Sequence, residues 1–285
     1  MRGPDLRVVL GLHRSRHERR LLTAALNLGV IALDTSTNYL GFRSHEVLAQ
    51  VAGDLLPKFY LSTKVGYFPG SNGAEHSLAP GRLHIAVEGA ARALGREPDL
   101  VLLHNPEHSL TQGTAQSRET LAGACAALDS ATSRGLCRAW GIATWNPTVL
   151  PPLVDASVPI PSTLMVRAGL LVGSRTLHAT ESLMKAWGLS TGAMRGMSPF
   201  GGSTGAPVWA RVDPRSFLRD DGGYSRAQAA FRIAYRLPDV SAVAVGTDEP
   251  AHLGELVDAL AAVPDEQAVV TYRTLLRDRL RTQST

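Results

Sequence analysis

Short apolar runs rich in leucine and valine recur along the chain, and segments with apolar residues at helical spacing follow them. Residues 6–12 read as a first strand. Residues 17–28 then set Leu21, Leu22, Ala25 and Leu26 along one helical stripe, with Gly29 as the stop. A second strand ends at Asp34, and residues 44–52 form a helix with Ser44 as N-cap and Val47, Leu48 and Val51 on one side. A third strand ends at Lys64, followed by a Gly/Pro/Ser-rich loop over 65–80 and a helix over 82–94. A fourth ends at His104, before a polar loop at 105–116 and a helix at 118–134. Further strands fall at 138–143, at 163–167, within 189–197 and at 240–245. Helices are expected at 148–155, 180–187, 225–236 and 250–262, with a terminal helix at 265–281.

Strands alternating with helices at these lengths favour a parallel sheet, and eight such units favour closure. The expectation is an α/β fold, a (β/α)8 TIM barrel in a single domain over residues 1–285. A chain of 285 residues is long for one ordinary domain, but such a barrel takes about 250 residues and no linker-like shift in composition divides it. Hydrophobic residues at 44% and charged residues at 19% suit a large buried core. No apolar run reaches the roughly 18 residues a membrane span needs, and the first twelve residues lack a signal peptide's hydrophobic stretch, so the expected setting is the cytoplasm with no membrane partner. Cys125 and Cys137 are too few for a disulfide framework and read as small buried or half-buried side chains.

The net charge of +4 raises the question of nucleic acid. The basic residues are scattered, and the one cluster, Arg14, Arg16, Arg19 and Arg20, has no interleaved aromatics. A solvated helix face is the simpler reading, with a phosphate-bearing ligand near that rim as the alternative. The nine histidines contain no metal-ligand spacing such as His-Glu-x-x-His, so no metal is expected.

The chemistry lies at the strand ends. Asp34, Lys64 and His104 each close an apolar run, and Tyr39 follows in the loop after the second. In a parallel barrel those ends converge on one face, so groups distant in sequence meet over one pocket. A phenol is a poor acid at neutral pH, but a nearby ammonium stabilises its anion. Lys64 would supply that charge to Tyr39, Asp34 would hold the lysine protonated, and His104 would donate a hydrogen bond to a substrate oxygen. Taken singly, each has an ordinary structural reading as a turn, a strand terminus or a core side chain. The loops after the third, fourth and seventh strands would line the mouth, which places Tyr67, Phe68, Asn105, Trp145 and Trp209 near a substrate.

The segments AALNLGVIALDTSTNY (24–39), SHEVL (44–48), TKVG (63–66), LHNP (103–106), GIATW (141–145), SPFG (198–201) and VAVGT (243–247) together resemble the aldo-keto reductases, in the same order across almost the whole chain. The resemblance implies a (β/α)8 barrel, a nicotinamide cofactor bound extended without a Rossmann domain, and Asp34, Tyr39, Lys64 and His104 as the catalytic tetrad. It also implies that Ser198, Phe200 and Gly201 cradle a pyrophosphate, while Thr247 contacts a phosphate and Glu255 the adenine.

Other positions depart from the family's pattern. Ala143, Thr144 and Met165 stand where a Ser-Asn pair and a Gln commonly hold the carboxamide, leaving Thr144 as the one hydrogen-bonding group. Met197 stands for the stacking aromatic, and Gly246 and His252 for the basic grip on a 2′-phosphate. The reading is therefore a reductase passing hydride from NADPH, or NADH, to a carbonyl of a small or sugar-like metabolite. Two alternatives are a non-redox elimination, cyclisation or isomerisation enzyme using the same tetrad, and a binding protein on this scaffold. Oligomeric state is not readable from the chain.

Overall fold

The computed structural model describes residues 6–71, 73–220 and 222–282; both ends of the expected 1–285 domain lie outside that range. Eight parallel strands close into a barrel: β1 (Val8–Gly11), β2 (Ala32–Asp34), β3 (Tyr60–Val65), β6 (Leu100–His104), β7 (Trp140–Thr144), β8 (Thr163–Arg167), β9 (Met194–Met197) and β10 (Ala242–Val245). An antiparallel hairpin, β4 (Tyr67–Gly70) and β5 (Gly73–His76), stands apart from the barrel. The helices are α1 (Arg19–Asn27), α2 (Ser44–Ala52), α3 (Pro80–Leu94), α4 (Thr114–Ser133), α5 (Ser174–Ala186), α6 (Arg226–Ile233), α7 (Pro250–Asp258) and α8 (Glu266–Thr282). Branched aliphatic residues on the outer strand faces, such as Leu33, Leu61, Leu103 and Ile142, pack under Leu22, Leu48, Leu83 and Leu121 of the helices. This is the apolar stripe expected of helices covering a sheet.

Side chains alternate across each strand, so the other parity fills the barrel. Val9, Ala32, Leu100, Leu102, Ala143, Met165, Ala242 and Ala244 form the inner core. The small side chains of Ala143 and Ala244 leave space near the carboxyl ends, and the mouth there opens into a cavity.

Several local expectations are corrected. The segment 148–155 is not an α-helix but two 3-10 turns, Pro147–Val149 and Pro151–Leu153, because the prolines remove helix hydrogen bonds. The loop 65–80 contains the β4–β5 hairpin, hidden in the sequence by Pro69 and by the lack of apolar alternation. Helix α1 starts at Arg19 rather than 17, since His17 is buried with φ of 58°. Ser44 does not cap α2. Its hydroxyl lies 2.6 Å from Thr35 Oγ1 and 2.7 Å from His17 Nε2, tying that helix to the end of β2 and the loop before α1. Helix α5 begins six residues earlier than expected, at Ser174.

Candidate active site

Each of the eight barrel strands contributes to the wall of a cavity of about 740 Å³ at the carboxyl-end mouth, seven of them one residue and β10 two, Ala244 and Val245. In barrel order, with Ala244 for β10, these are Gly11, Ala244, Met197, Met165, Ala143, His104, Lys64 and Asp34. The ring is therefore divided, with three ionisable side chains contiguous on β2, β3 and β6 and apolar ones on β7 to β10. Tyr39, in the turn after β2, joins the polar side.

The Lys64 ammonium forms a buried salt bridge with Asp34 Oδ2, donates to the carbonyl of Thr35 at 2.9 Å and reaches Tyr39 Oη at 3.4 Å. Ser62 Oγ donates to the other Asp34 oxygen at 2.8 Å, so this carboxylate is held from two sides. Burial pushes the Lys64 pKa down, but Asp34 and Tyr39 outweigh it and the ammonium is held above its ordinary value. Burial raises the Tyr39 phenol, with Lys64 acting in the opposite direction. The result is a protonated phenol beside a fixed cation. The expected lowering by lysine is present, but in this structure it is smaller than the effect of burial.

His104 is only 9% exposed. Burial, reinforced by Lys64, holds its pKa well below 6.5, so the imidazole is neutral at physiological pH. Its Nδ1 lies 3.0 Å from Ser36 Oγ, which donates to Asn38 Oδ1 at 2.7 Å. A hydroxyl has one proton. With that proton on Asn38, Ser36 accepts from His104 Nδ1–H and the other ring nitrogen is left as an acceptor. A half-turn of the Asn38 amide reverses both bonds: Asn38 donates to Ser36, Ser36 donates to Nδ1, and Nε2 carries the hydrogen.

The expected substrate-side residues separate into two groups. Tyr67, Asn105 and Trp145 line the cavity, Asn105 donating through Nδ2 to Tyr67 Oη at 3.4 Å and accepting from the Trp145 amide at 3.2 Å. Phe68 and Trp209 do not line it. Phe68 is half-buried against the main hydrophobic core, with Arg82 stacked on its ring at 4.0 Å. Trp209 walls a separate cavity of about 310 Å³ with Arg226 and Phe200, and its indole donates to the carbonyl of Ser203 at 3.1 Å.

The expected cofactor residues divide likewise. Ser198, Phe200, Gly201 and Thr247 line the cavity. Thr144 is fully buried, does not line it, and donates its hydroxyl to Glu107 Oε2 at 2.9 Å. His252 and Glu255 are exposed on α7, outside the lining. The turn after β9 has positive φ at Ser198 (55°), Gly201 (66°) and Gly202 (109°), and a Cβ on Gly201 would fall 2.7 Å from Leu171 Cδ1. Such a glycine turn exposes backbone amides to an anion at close range. The volume, this turn and the flat apolar wall of Met165 and Met197 fit a dinucleotide's diphosphate and ring. The carboxamide contacts are the part left to other groups.

Sequence reasoning passed over Glu107, Ser36 and the hairpin's His76. Glu107 accepts from the amides of Trp145 at 2.8 Å and Asn146 at 2.7 Å, fixing the loop after β7. His76 Nε2 donates to the carbonyl of His104 at 2.8 Å while Nδ1 lies 2.7 Å from Ser109 Oγ, which clamps the hairpin onto the end of β6. Glu107 and His76 lie in segments without periodicity, so no pattern marked them; Ser36, two residues past Asp34, carried a positional signal. The basic cluster also divides: Arg16, Arg19 and Arg20 form ion pairs with acidic neighbours, whereas Arg14 lines the cavity. Cys125 and Cys137 are free and buried. Among the described residues no helix is long and apolar enough to cross a membrane, and no group of three or more His, Cys, Asp or Glu could hold a metal.

The model of the aldo/keto reductase family matches residues 13–201, and the chain belongs to that family. Solved structures of similar fold include an aldo-keto reductase from Bacillus halodurans in its holo form, with 18% identity, TM-score 0.66, and 94% of this chain and 91% of that one covered. An aldo-keto reductase from a Medee basin deep-sea metagenome library gives 16% identity and TM-score 0.69, covering 95% and 91%. An aldo/keto reductase from Klebsiella pneumoniae in complex with NADP and acetate gives 17% identity and TM-score 0.67, also covering 95% and 91%. No curated protein matches the chain. Family membership supports oxidoreductase chemistry in general terms.

Proposed function

We propose that this protein is a reductase that uses NADPH to reduce a carbonyl of a small or sugar-like metabolite, with Tyr39 as general acid. The observation that carries the reading is the Tyr39 hydroxyl, protonated, 3.4 Å from a buried ammonium and facing the cavity. Bound along the apolar wall, a reduced nicotinamide would supply the hydride. Ser198, Phe200, Gly201 and Thr247 would hold the cofactor, Met165 and Met197 would meet its ring by contact, and Arg14, which lines the cavity and has no acidic partner among the described residues, would meet a phosphate.

Tyr39 gives its proton to the oxygen that gains charge, and Lys64 stabilises the phenolate this leaves. Asp34 and Ser62 keep the ammonium charged and aimed. His104, neutral, donates through Nε2 to the same oxygen in the arrangement in which Ser36 donates to Nδ1. The K. pneumoniae relative was crystallised with NADP, which agrees with the cofactor assigned here. The two free buried cysteines suit a reducing compartment such as the cytoplasm.

A second reading rests on Ala143, Thr144 and Met165: with Thr144 turned to Glu107, none of the three offers a hydrogen bond to a carboxamide. In that reading the same four groups catalyse a non-redox proton transfer. Fluorescence titration with NADPH and NADH separates the two. Saturable binding with carbonyl-dependent oxidation of the cofactor supports the reductase; absence of binding of either nucleotide gives the site to the non-redox reaction.

A further inference from the structure

Arg167 closes β8 and pairs in register with Met197. It has the same strand parity as Met165, which faces the cavity, and although it is not itself part of the cavity wall it lies beside that wall through its contact with Trp145. Its guanidinium carbon lies 4.9 Å from the centre of the Trp145 ring, and Trp145, 44% exposed, lines the cavity. The backbone that carries the ring is fixed, because the Trp145 amide is held by both Asn105 and Glu107.

Arg167 is half-buried, and among the described residues no carboxylate lies within ion-pair distance of it. Lys64 is matched with Asp34, Arg96 with Asp99 and Arg273 with both Glu181 and Asp239, whereas Arg195 and Arg232, like Arg167, form no ion pair among the described residues; of these three, Arg167 is the one stacked on a residue of the cavity wall. The Glu107 carboxylate is occupied by three donors, Thr144 at the end of β7 and the amides of Trp145 and Asn146 in the loop after it. Burial pushes the guanidinium pKa down without an opposing charge. A partly desolvated cation that lacks a counterion is unfavourable until an anion completes it. The planar guanidinium fork suits a carboxylate, which it can hold through two parallel hydrogen bonds.

We infer that Arg167, stacked on Trp145 at the cavity rim, binds a carboxylate of the substrate, so that the carbonyl compounds preferred by this protein are oxo acids. A single unpaired guanidinium matches a single negative charge. A phosphate dianion would call on a second cation, and of those in the cavity Lys64 is committed to Asp34 while Arg14 is assigned to the cofactor. The inference rests on the reductase reading for the word substrate but not for the binding of the carboxylate.

The test compares succinic semialdehyde with butanal, which have the same four-carbon aldehyde frame with and without the carboxylate. Wild-type kcat/KM should favour the oxo acid, and Arg167→Met should lower that preference by about 10- to 100-fold, mainly through KM, while butanal changes by no more than about twofold. Arg167→Lys should recover part of the preference, and Arg167→Glu should abolish it. Succinate binding, followed by calorimetry without cofactor, should weaken by a similar factor in Arg167→Met. An equal preference in wild type and Arg167→Met, or succinate affinity indifferent to residue 167, overturns the inference. If neither aldehyde is reduced but succinate binds through Arg167, the reductase reading fails and the carboxylate site stands.

Discussion

The two halves of the barrel mouth are built by opposite means. On β2, β3 and β6, function would rest on side chains: Asp34, Lys64 and His104 are buried, and Ser62, Ser36 and Tyr39 interlock with them. On β7 to β10 the ring positions are Ala143, Met165, Met197 and Ala244, and the polar features are the turns at 198–202 and 246–248 together with Arg167 at the end of β8. A proton-transfer centre demands particular titratable groups at particular distances, so each replacement is severe. A surface that binds by shape, apolar contact and backbone amides tolerates several side chains. The difference teaches why replacements would be tolerated on the apolar half of the mouth and not on the polar half.

The largest effect should come from breaking the polar half. Tyr39→Phe should lower single-turnover reduction by about 10²- to 10⁴-fold with the melting temperature little changed. Lys64→Met should cost a comparable factor, and the double variant little more than either, because the two act on one proton. Additive losses would separate their roles.

The imidazole orientation is the next point of comparison. Asn38→Asp offers Ser36 only acceptors, which fixes the proton of Ser36 on residue 38 and leaves His104 protonated at Nδ1. Turnover should fall by about 10- to 100-fold relative to wild type. The ¹⁵N shifts of His104 should report Nε2–H in wild type and Nδ1–H in Asn38→Asp; Nδ1–H in both would remove His104 as the donor.

Acid should unfold the protein from the polar side. His45 of α2, its Nε2 2.7 Å from Thr63 Oγ1 of β3, has a pKa lowered by burial from 6.5 to about 4. The unfolded chain therefore binds this proton more readily than the folded one. Stability is complete above pH 6.5 and declines as pH falls towards 4, by up to about 3 kcal/mol from this residue alone. His17 and His104, also lowered, add in the same direction. Urea midpoints measured from pH 7.5 to 4.5 should show the decline, and His45→Gln should flatten it.

The smallest effects belong to the apolar half. Met165→Gln, which places an amide on that wall, should tighten nicotinamide binding by about 3- to 10-fold, the scale of one hydrogen bond. His252→Arg should shift the NADPH to NADH affinity ratio by a factor of about three at most, since residue 252 is exposed and outside the lining. Dissociation constants for both cofactors decide both cases, and a large effect of His252→Arg would place the 2′-phosphate against α7.

The fold was legible because it repeats. Eight apolar runs and their amphipathic partners each carry a local period, and the order in which Asp34, Lys64 and His104 end their strands follows from that period alone. The convergence of these ends then follows from closure of the barrel. Local errors arose where proline or a buried polar contact overrode the pattern, as at 147–153, at Pro69 and at Ser44.

The chain by itself thus determined the barrel and the strand-end positions of its ionisable groups, because alternation and helical spacing are properties of neighbours in sequence. Only the tertiary structure decided which hydroxyl, carboxylate or aromatic ring each of them meets. Thr144 turns to Glu107, Trp209 to a second cavity, Arg167 to Trp145 and Ser36 to His104. These partners are 37 residues apart for the first pair and 68 for the last, and a hydrogen bond or stacking contact depends on a few ångströms that no local pattern encodes.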